Sequence, residues 1–165
     1  MVDLYTAIVF LSGFTLVITA VDAITNRLVS QKNKSEIVLV SLFIGIAIFS
    51  EWIGVKTNGA DVSLIWLHKG AKLVEFCVAP LISVAAAIAY GKVKRPRVIA
   101  VILTAHAVFE IVALFNNWVF SVDVENIYHR EGLYWIYIIT FSKCHYITIY
   151  YLGTYIGMTY CKRKR

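Results

Sequence analysis

The chain has 165 residues, of which 59% are hydrophobic and only 16% are charged, and its mean hydropathy is +0.72. Soluble domains are close to half apolar and about a quarter charged, so this composition excludes an ordinary soluble domain and favours an integral membrane protein. The net charge of +6 would suit nucleic acid, but the positions of the basic residues indicate a membrane topology instead. Three cysteines provide no disulfide framework.

Five apolar runs follow one another along the chain, and each is long enough to cross the hydrocarbon core as a helix, which takes roughly 18 to 20 residues. A helix satisfies its own backbone hydrogen bonds, so it is the spanning form that these runs favour. The sequence therefore predicts an all-α, polytopic membrane helix bundle that forms a single domain over residues 1–165. The five predicted spans are about 4–21, 37–55, 62–90, 98–118 and 132–160.

Local features refine three of these runs. Asp3 is the only charge before the first run, which therefore lacks the basic start of a signal peptide and is predicted to be a retained anchor. Pro80 lies within the third run and is expected to kink that helix. Gly153 and Gly157 form a Gly-x-x-x-Gly step in the fifth run, which predicts close helix packing.

The basic residues predict the orientation. Most of the 16 Lys and Arg residues lie in three segments: the loop after the first run, "GKVKRPR" after the third, and the tail "CKRKR". In a five-span protein all three segments fall on one side, which the positive-inside rule makes cytoplasmic. We therefore expect a multi-pass protein of the cell membrane with its N-terminus outside and its C-terminus in the cytoplasm, with the lipid bilayer and not nucleic acid as partner.

Tryptophan provides a separate indication of the outer face, because indole prefers the headgroup level. The four tryptophans all fall at predicted outer helix ends, and we expect them in one narrow zone: Trp52, Trp66, Trp118 and Trp135.

Ionisable side chains within the runs are the candidates for a functional site. A charge at the bilayer centre costs about 3 kcal/mol or more, so such groups persist where they face the bundle interior, pair, or line a wet cavity. In the predicted topology they form one layer that opens to the outside beneath the segment 116–131, which would act as a lid. The candidate ligand-binding residues are Glu51, His68, Lys72, Glu75, His106, Glu110, Lys143 and His145.

The spacing of these residues supports a common layer. His68, Lys72 and Glu75 share one helix face, because they are four and then three residues apart. Among the acids, we expect Glu110 to lie near Lys72 or Lys143, since pairing would neutralise both groups. Three interpretations remain open: a pocket for a small ligand from outside, a structural ion-pair network that fixes helix packing, and a path for ions or protons.

Cofactor and enzyme chemistry are not indicated. His106 and His145 could hold a haem between helices, but a lone membrane histidine more often hydrogen-bonds or pairs with an acid. The sequence contains none of the common catalytic triad, Cys-His, phosphate-loop or zinc patterns. We therefore predict no cofactor, no metal, no catalytic residue and no enzymatic activity for the residues present.

The longest polar interruption, residues 116–138, reads "NNWVFSVDVENIYHREGLYWIYI". It resembles the region between helices 4 and 5 of the bacterial seven-transmembrane sensor regions that precede histidine kinase or GGDEF diguanylate cyclase domains. Those regions end helix 4 with Asn and aromatic residues, continue with a short acidic loop, and enter helix 5 through Tyr/His-Arg-Gly-aromatic. Here the entry reads "YHREGLYW", with Glu131 inserted between Arg130 and Gly132.

The resemblance implies a bacterial sensory input module, commonly a homodimer, that an external ligand switches and a cytoplasmic output domain reads. Any cyclase or kinase activity would belong to that output domain. Such sensors have two more spans, so we expect this chain to be a fragment that ends after helix 5. Two alternatives remain: a small-solute transporter or transporter subunit, and a structural or assembly membrane protein.

Overall fold

The computed structural model describes residues 3–90, 96–146 and 150. Most of them are helical, as the apolar runs predict, and the helices are joined by short turns. The elements are α1 (Leu4–Thr25), α2 (Gln31–Thr57), a 3₁₀ turn (Val62–Leu64), α3 (Ile65–Tyr90), α4 (Pro96–Asn116), β1 (Phe120–Val122), β2 (Tyr128–Arg130) and α5, which covers 134–146 of the described residues.

Three helices in the described ranges are long and apolar enough to cross a membrane: α1, α2 and Arg97–Asn116 of α4. Their apolar side chains are mostly exposed, and only 11% of the span in α1 is buried within the chain. A bilayer would cover such a surface, because lipid tails are as apolar as these side chains. The predicted packing step at Gly153 and Gly157 lies outside the described residues.

The helix bounds differ from the predicted spans where polar residues extend a helix beyond its apolar run. α2 begins at Gln31, earlier than predicted, because Ser30 caps it: the Ser30 hydroxyl accepts a hydrogen bond from the Asn33 amide at 3.3 Å. Such a cap satisfies one of the amide groups that the first turn leaves without a partner. The first turns of α2 are therefore helical although they are polar.

Each helix from α1 to α4 packs against the next in the chain, and the most extensive contact joins α2 to α3. Asp3 caps α1 through the Thr6 amide at 2.7 Å and also pairs with Lys56 near the end of α2. Trp52 of α2 donates a hydrogen bond to the Thr6 hydroxyl at 3.1 Å. We call this end of the bundle, where α1, α3 and α5 begin and α2 and α4 end, the hairpin end.

The hydrophobic core also lies at the hairpin end. Phe76 of α3 is at its centre, with its ring 5.2 Å from that of Phe120 and 4.3 Å from that of Tyr137. These contacts join α3 to the β-hairpin and to α5. The other buried members of the core are Ala113, Leu114, Val119 and Val122.

The segment 116–131 is not the loop that we predicted, and the fold is therefore not purely helical. β1 and β2 form an antiparallel hairpin in which Phe120 pairs with Arg130 and Val122 with Tyr128. Phe120 and Val122 are buried, while the residue between them is half-buried, which is the alternation expected of a strand with one face on a core. The turn between the strands includes Asn126 at φ +62°, a left-handed conformation that asparagine tolerates better than most residues.

The four tryptophans lie at the hairpin end, as their helix positions require. Trp66 and Trp135 follow the first residues of α3 and α5, Trp118 follows the last turn of α4, and Trp52 lies in the last turns of α2. The helix order therefore places all four at the end that the sequence predicts to be the outer one.

Candidate functional site

Asn126 fastens the hairpin to the connection between α2 and α3. Its side-chain nitrogen donates to the backbone oxygens of Thr57 at 2.7 Å and Asp61 at 3.1 Å, and its own backbone oxygen accepts from the Gly59 amide at 2.8 Å. The residue is fully buried. Buried polar groups are costly unless they are hydrogen-bonded, so this set of bonds fixes where the hairpin lies.

A second contact holds β2 in place. The Tyr128 amide donates to the side-chain oxygen of Asn58, the residue that caps the C-terminus of α2, at 2.8 Å. Burial raises the pKa of the Tyr128 phenol, so this group stays neutral. The hairpin thus covers the end of α2 and the beginning of α3. Two asparagines from different parts of the chain, Asn58 and Asn126, hold it there.

The Asn126 bonds also determine the tautomer of His68. Because the Asn126 nitrogen is occupied as a donor, its side-chain oxygen is the acceptor in the 2.9 Å contact with His68 Nδ1. Nδ1 therefore carries the hydrogen, and in a neutral imidazole Nε2 is then a lone-pair acceptor. His68 is fully buried, and Nε2 has no hydrogen-bond partner within the described part of the chain.

A cavity of about 220 Å³ lies beside this histidine. It is polar at one side, where Lys72 Nζ lies 2.8 Å from Glu75 Oε2 and 5.3 Å from the centroid of the Tyr128 ring. Its walls come from α2, α3 and β2. The lining residues are Gly54, Val55, Asn58, His68, Lys72 and Tyr128.

Gly54 determines how closely α2 approaches this cavity. A Cβ atom at this position would lie 2.8 Å from Cε of Lys72, closer than a carbon–carbon contact allows. The stem of Lys72 therefore packs directly on the α2 backbone, which places its ammonium group between Glu75 and Tyr128.

Part of the predicted polar layer is thus a site at the hairpin end. His68, Lys72 and Glu75 lie together on α3, as their spacing predicts. His106 and Glu110 form a second group between α3 and α4, and neither lines the cavity. His106 Nε2 lies 3.3 Å from the backbone oxygen of Phe76 and 3.7 Å from Glu110 Oε1.

Glu110 is fully buried, and neither of its carboxyl oxygens has a hydrogen-bond partner among the described residues. We expected Glu110 to lie near Lys72 or Lys143 so that their charges could pair. Where the structure describes the chain, Glu110 forms no ion pair with either lysine, so that part of the expectation is wrong. Lys72 pairs with Glu75 instead, and the ion pairs of the described ranges include none between Glu110 and a lysine. The geometry of a shared helix favours the nearer acid, since Lys72 and Glu75 are one turn apart.

Three predicted site residues are exposed, so the structure does not bury them with the others: Glu51, Lys143 and His145. For the two on α5, the rotation of the helix about its axis decides which side chains face inward, and Cys144 is the buried residue between them. The His145 ring instead stacks on that of Phe141, with centroids 6.2 Å apart. A predicted depth in the membrane cannot distinguish the two faces of a helix.

Sequence reasoning missed Asn58, Asn126 and Tyr128. The alternation around the turn was the available signal for the hairpin. Nothing in that local pattern indicates contact with the α2–α3 connection, which lies two helices earlier in the chain, with Thr57 69 residues before Asn126. Across 3–90 and 96–146, no group of three or more His, Cys, Asp or Glu side chains is arranged to hold a metal ion.

Comparison with known proteins adds no further constraint: no family model, no curated protein and no solved structure matches the chain.

Proposed function

We propose that the chain is the sensory input module of a bacterial membrane signalling protein, with five spans, an external N-terminus and a cytoplasmic C-terminus. The observation that carries the proposal is the hairpin that covers the His68 cavity at the hairpin end. The same segment carries the resemblance to sensor regions, so the part of the chain that covers the cavity is also the part that resembles a sensor. A small external ligand would bind in this cavity.

The cavity is suited to signalling because its walls belong to separate elements that extend away from it. Asn58 follows α2, His68 and Lys72 belong to α3, and Tyr128 belongs to β2, which leads into α5. A ligand that binds one arrangement of these elements better than another shifts the population of the two arrangements. A cytoplasmic output domain in a longer chain, acting as a homodimer, would read that shift.

A transporter is the second candidate, and Glu110 is the observation that favours it. Ionisable residues within membrane spans often mark ion or proton paths, and Glu110 is buried with no hydrogen-bond partner in the described part of the chain. It is separate from the cavity, beside His106 and beneath the hydrophobic core. A transporter would use both groups, whereas a sensor requires only the cavity. A structural membrane protein would require neither.

Ligand binding is tested by a thermal-shift screen of small polar metabolites on the purified chain in lipid nanodiscs. A sensor predicts a ligand that raises the unfolding temperature and slows hydrogen exchange in the hairpin amides. The same ligand should not cross the membrane in proteoliposomes that contain the chain. Ligand-dependent flux would favour the transporter, and a screen without any stabilising compound would contradict both.

The gene provides an independent test. A reading frame that continues beyond the Arg165 codon through two more spans into a GGDEF or histidine kinase domain supports the sensor. A stop codon there, with transporter genes adjacent, contradicts it.

A further inference from the structure

The chemistry of the His68 cavity narrows the class of ligand, an inference that rests on the proposed function. The first constraint comes from His68. With Nδ1 donating to Asn126 Oδ1 at 2.9 Å, neutral His68 presents only an acceptor at Nε2. A buried acceptor without a partner is costly, so the ligand gains most by offering an N–H or O–H donor at this nitrogen.

The second constraint comes from the donors on the other side of the cavity. Lys72 uses one N–H for Glu75, and an ammonium group has three. The Asn58 side-chain oxygen accepts from the Tyr128 amide, so its side-chain nitrogen supplies two N–H donors. The ligand therefore also needs an acceptor group, and a carboxylate forms stronger hydrogen bonds with an ammonium than a neutral carbonyl does.

The third constraint is charge. Lys72 and Glu75 form an ion pair 2.8 Å long with side chains only 13% and 20% exposed, so the charges next to the cavity cancel. A ligand with a net charge would leave that charge uncompensated in a partly buried site, which is unfavourable. A molecule that carries both signs, and no net charge, avoids this cost.

We propose that the cavity binds a small zwitterionic amino acid, with its ammonium group donating to His68 Nε2 and its carboxylate accepting from Lys72 and Asn58. The size agrees: about 220 Å³ equals the liquid volume of roughly seven water molecules at about 30 Å³ each. His68 and Lys72 are also one helical turn apart, which places their Cβ atoms about 5 to 6 Å from each other. A compact amino acid can reach both.

Isothermal titration of the chain in nanodiscs with two sets of four matched compounds tests the class. One set has the carbon skeleton of alanine and the other that of valine. Each set contains the amino acid, the corresponding hydroxy acid, the carboxylic acid without the amino group, and the amine without the carboxylate. We expect an amino acid to bind at least about tenfold more tightly than its three analogues, since each lost hydrogen bond to a charged group costs about that factor or more.

Gly54→Ala tests the location, because the added methyl group would displace the stem of Lys72. We expect it to weaken amino acid binding by about tenfold or more. Gly70→Ala is the matched control: it makes the same change in a helix, but its Cβ would meet no atom within 4 Å, so binding should be unchanged.

The outcomes separate this inference from the proposed function. Equal binding of the hydroxy acid, the plain acid or the amine overturns the zwitterion, as does binding that Gly54→Ala leaves intact. If none of the matched compounds binds but the broader screen finds a ligand that depends on Gly54, the inference fails and the sensory cavity stands. If no compound of either set binds, both fail.

Discussion

His106 Nε2 lies 3.3 Å from the backbone oxygen of Phe76. A side chain of α4 thus donates a hydrogen bond to a carbonyl of α3 that has no donor within its own helix. The donor to this carbonyl would be the amide four residues later, but that residue is Pro80, which has no N–H. Pro80 and His106 are both buried. His106 therefore replaces the backbone donor that α3 lacks at Pro80, and the resulting hydrogen bond joins α3 to α4.

The contribution of this hydrogen bond can be measured with a double-mutant cycle. We expect a coupling energy of about 0.6 to 1.7 kcal/mol between His106→Leu and Pro80→Ala, the range found for interhelical hydrogen bonds in membranes. Pro80→Ala restores the amide donor, so His106→Leu should then cost less. Unfolding of the four chains by SDS in mixed micelles gives the value, and additive effects of the two substitutions would contradict the assignment.

Glu110 should reduce stability, because it is a buried carboxyl group with no hydrogen-bond partner in the described part of the chain. We expect Glu110→Met, which has a similar volume and no polar group, to raise the free energy of unfolding by about 1 to 3 kcal/mol. Chemical unfolding in micelles measures the change. The transporter candidate assigns Glu110 a role in flux and the sensor does not require it, so ligand-dependent flux should fall in this variant if the chain is a transporter.

Glu75→Met is the matched control for that substitution. It makes the same chemical change on α3 but leaves Lys72 without its carboxylate, so it should lower the free energy of unfolding by roughly 1 kcal/mol or more. If Glu110→Met and Glu75→Met shift the free energy of unfolding in the same direction, the presence or absence of an ion pair with a lysine does not determine their effects.

Hydropathy and spacing predicted much of this architecture, and their failures have physical causes. The apolar runs predicted the helices because a helix satisfies its backbone hydrogen bonds within one continuous segment, so its presence depends on that segment alone. The i, i+4 and i+7 spacing grouped His68, Lys72 and Glu75 correctly, since it depends on one helix alone. The exposure of Lys143 depends on the rotation of α5 against its neighbours, and the role of Asn126 depends on a connection far away in sequence; neither leaves a local trace.

The Asn126 contacts predict that two substitutions differ in a defined way. Asn126→Gly keeps the left-handed backbone but loses the side-chain hydrogen bonds, and we expect it to weaken hairpin docking by about 2 to 4 kcal/mol. Asn126→Ala loses the same bonds and adds backbone strain of about 1 to 2 kcal/mol at φ +62°. Hydrogen exchange of the Gly59 amide, which donates to Asn126, measures the docking. Equal exchange in both variants would argue against the strain.

The tautomer of His68 is a direct test of the site geometry. We expect the ¹⁵N spectrum of the selectively labelled chain to show a protonated Nδ1 and an unprotonated Nε2, because Asn126 fixes the donor on Nδ1. Asn126→Asp removes the N–H donors to Thr57 and Asp61 but keeps an oxygen acceptor for Nδ1–H, so the hydrogen should stay on Nδ1 in this variant. A hydrogen on Nε2 of neutral His68 in the unaltered chain would contradict both the tautomer and the ligand class derived from it.

The hairpin turn should open in acid. Asp123 accepts hydrogen bonds from His129 Nε2 at 2.8 Å and from the amides of Glu125 and Ile127, both at 2.9 Å. The bond from His129, followed by that from Ile127, holds the pKa of the Asp123 carboxyl below its usual value of 3.8. A lowered folded-state pKa means that the stabilisation is complete above the unfolded pKa and is lost as the pH falls through the folded one.

Amide shifts of Glu125 and Ile127, followed by NMR from about pH 6 to about pH 2 across the carboxyl range, should move together below pH 3.8. Asp123→Asn keeps an oxygen acceptor but cannot ionise, so the joint movement of the two amide shifts should be absent; a joint transition that persists in this variant would assign the opening to another acid.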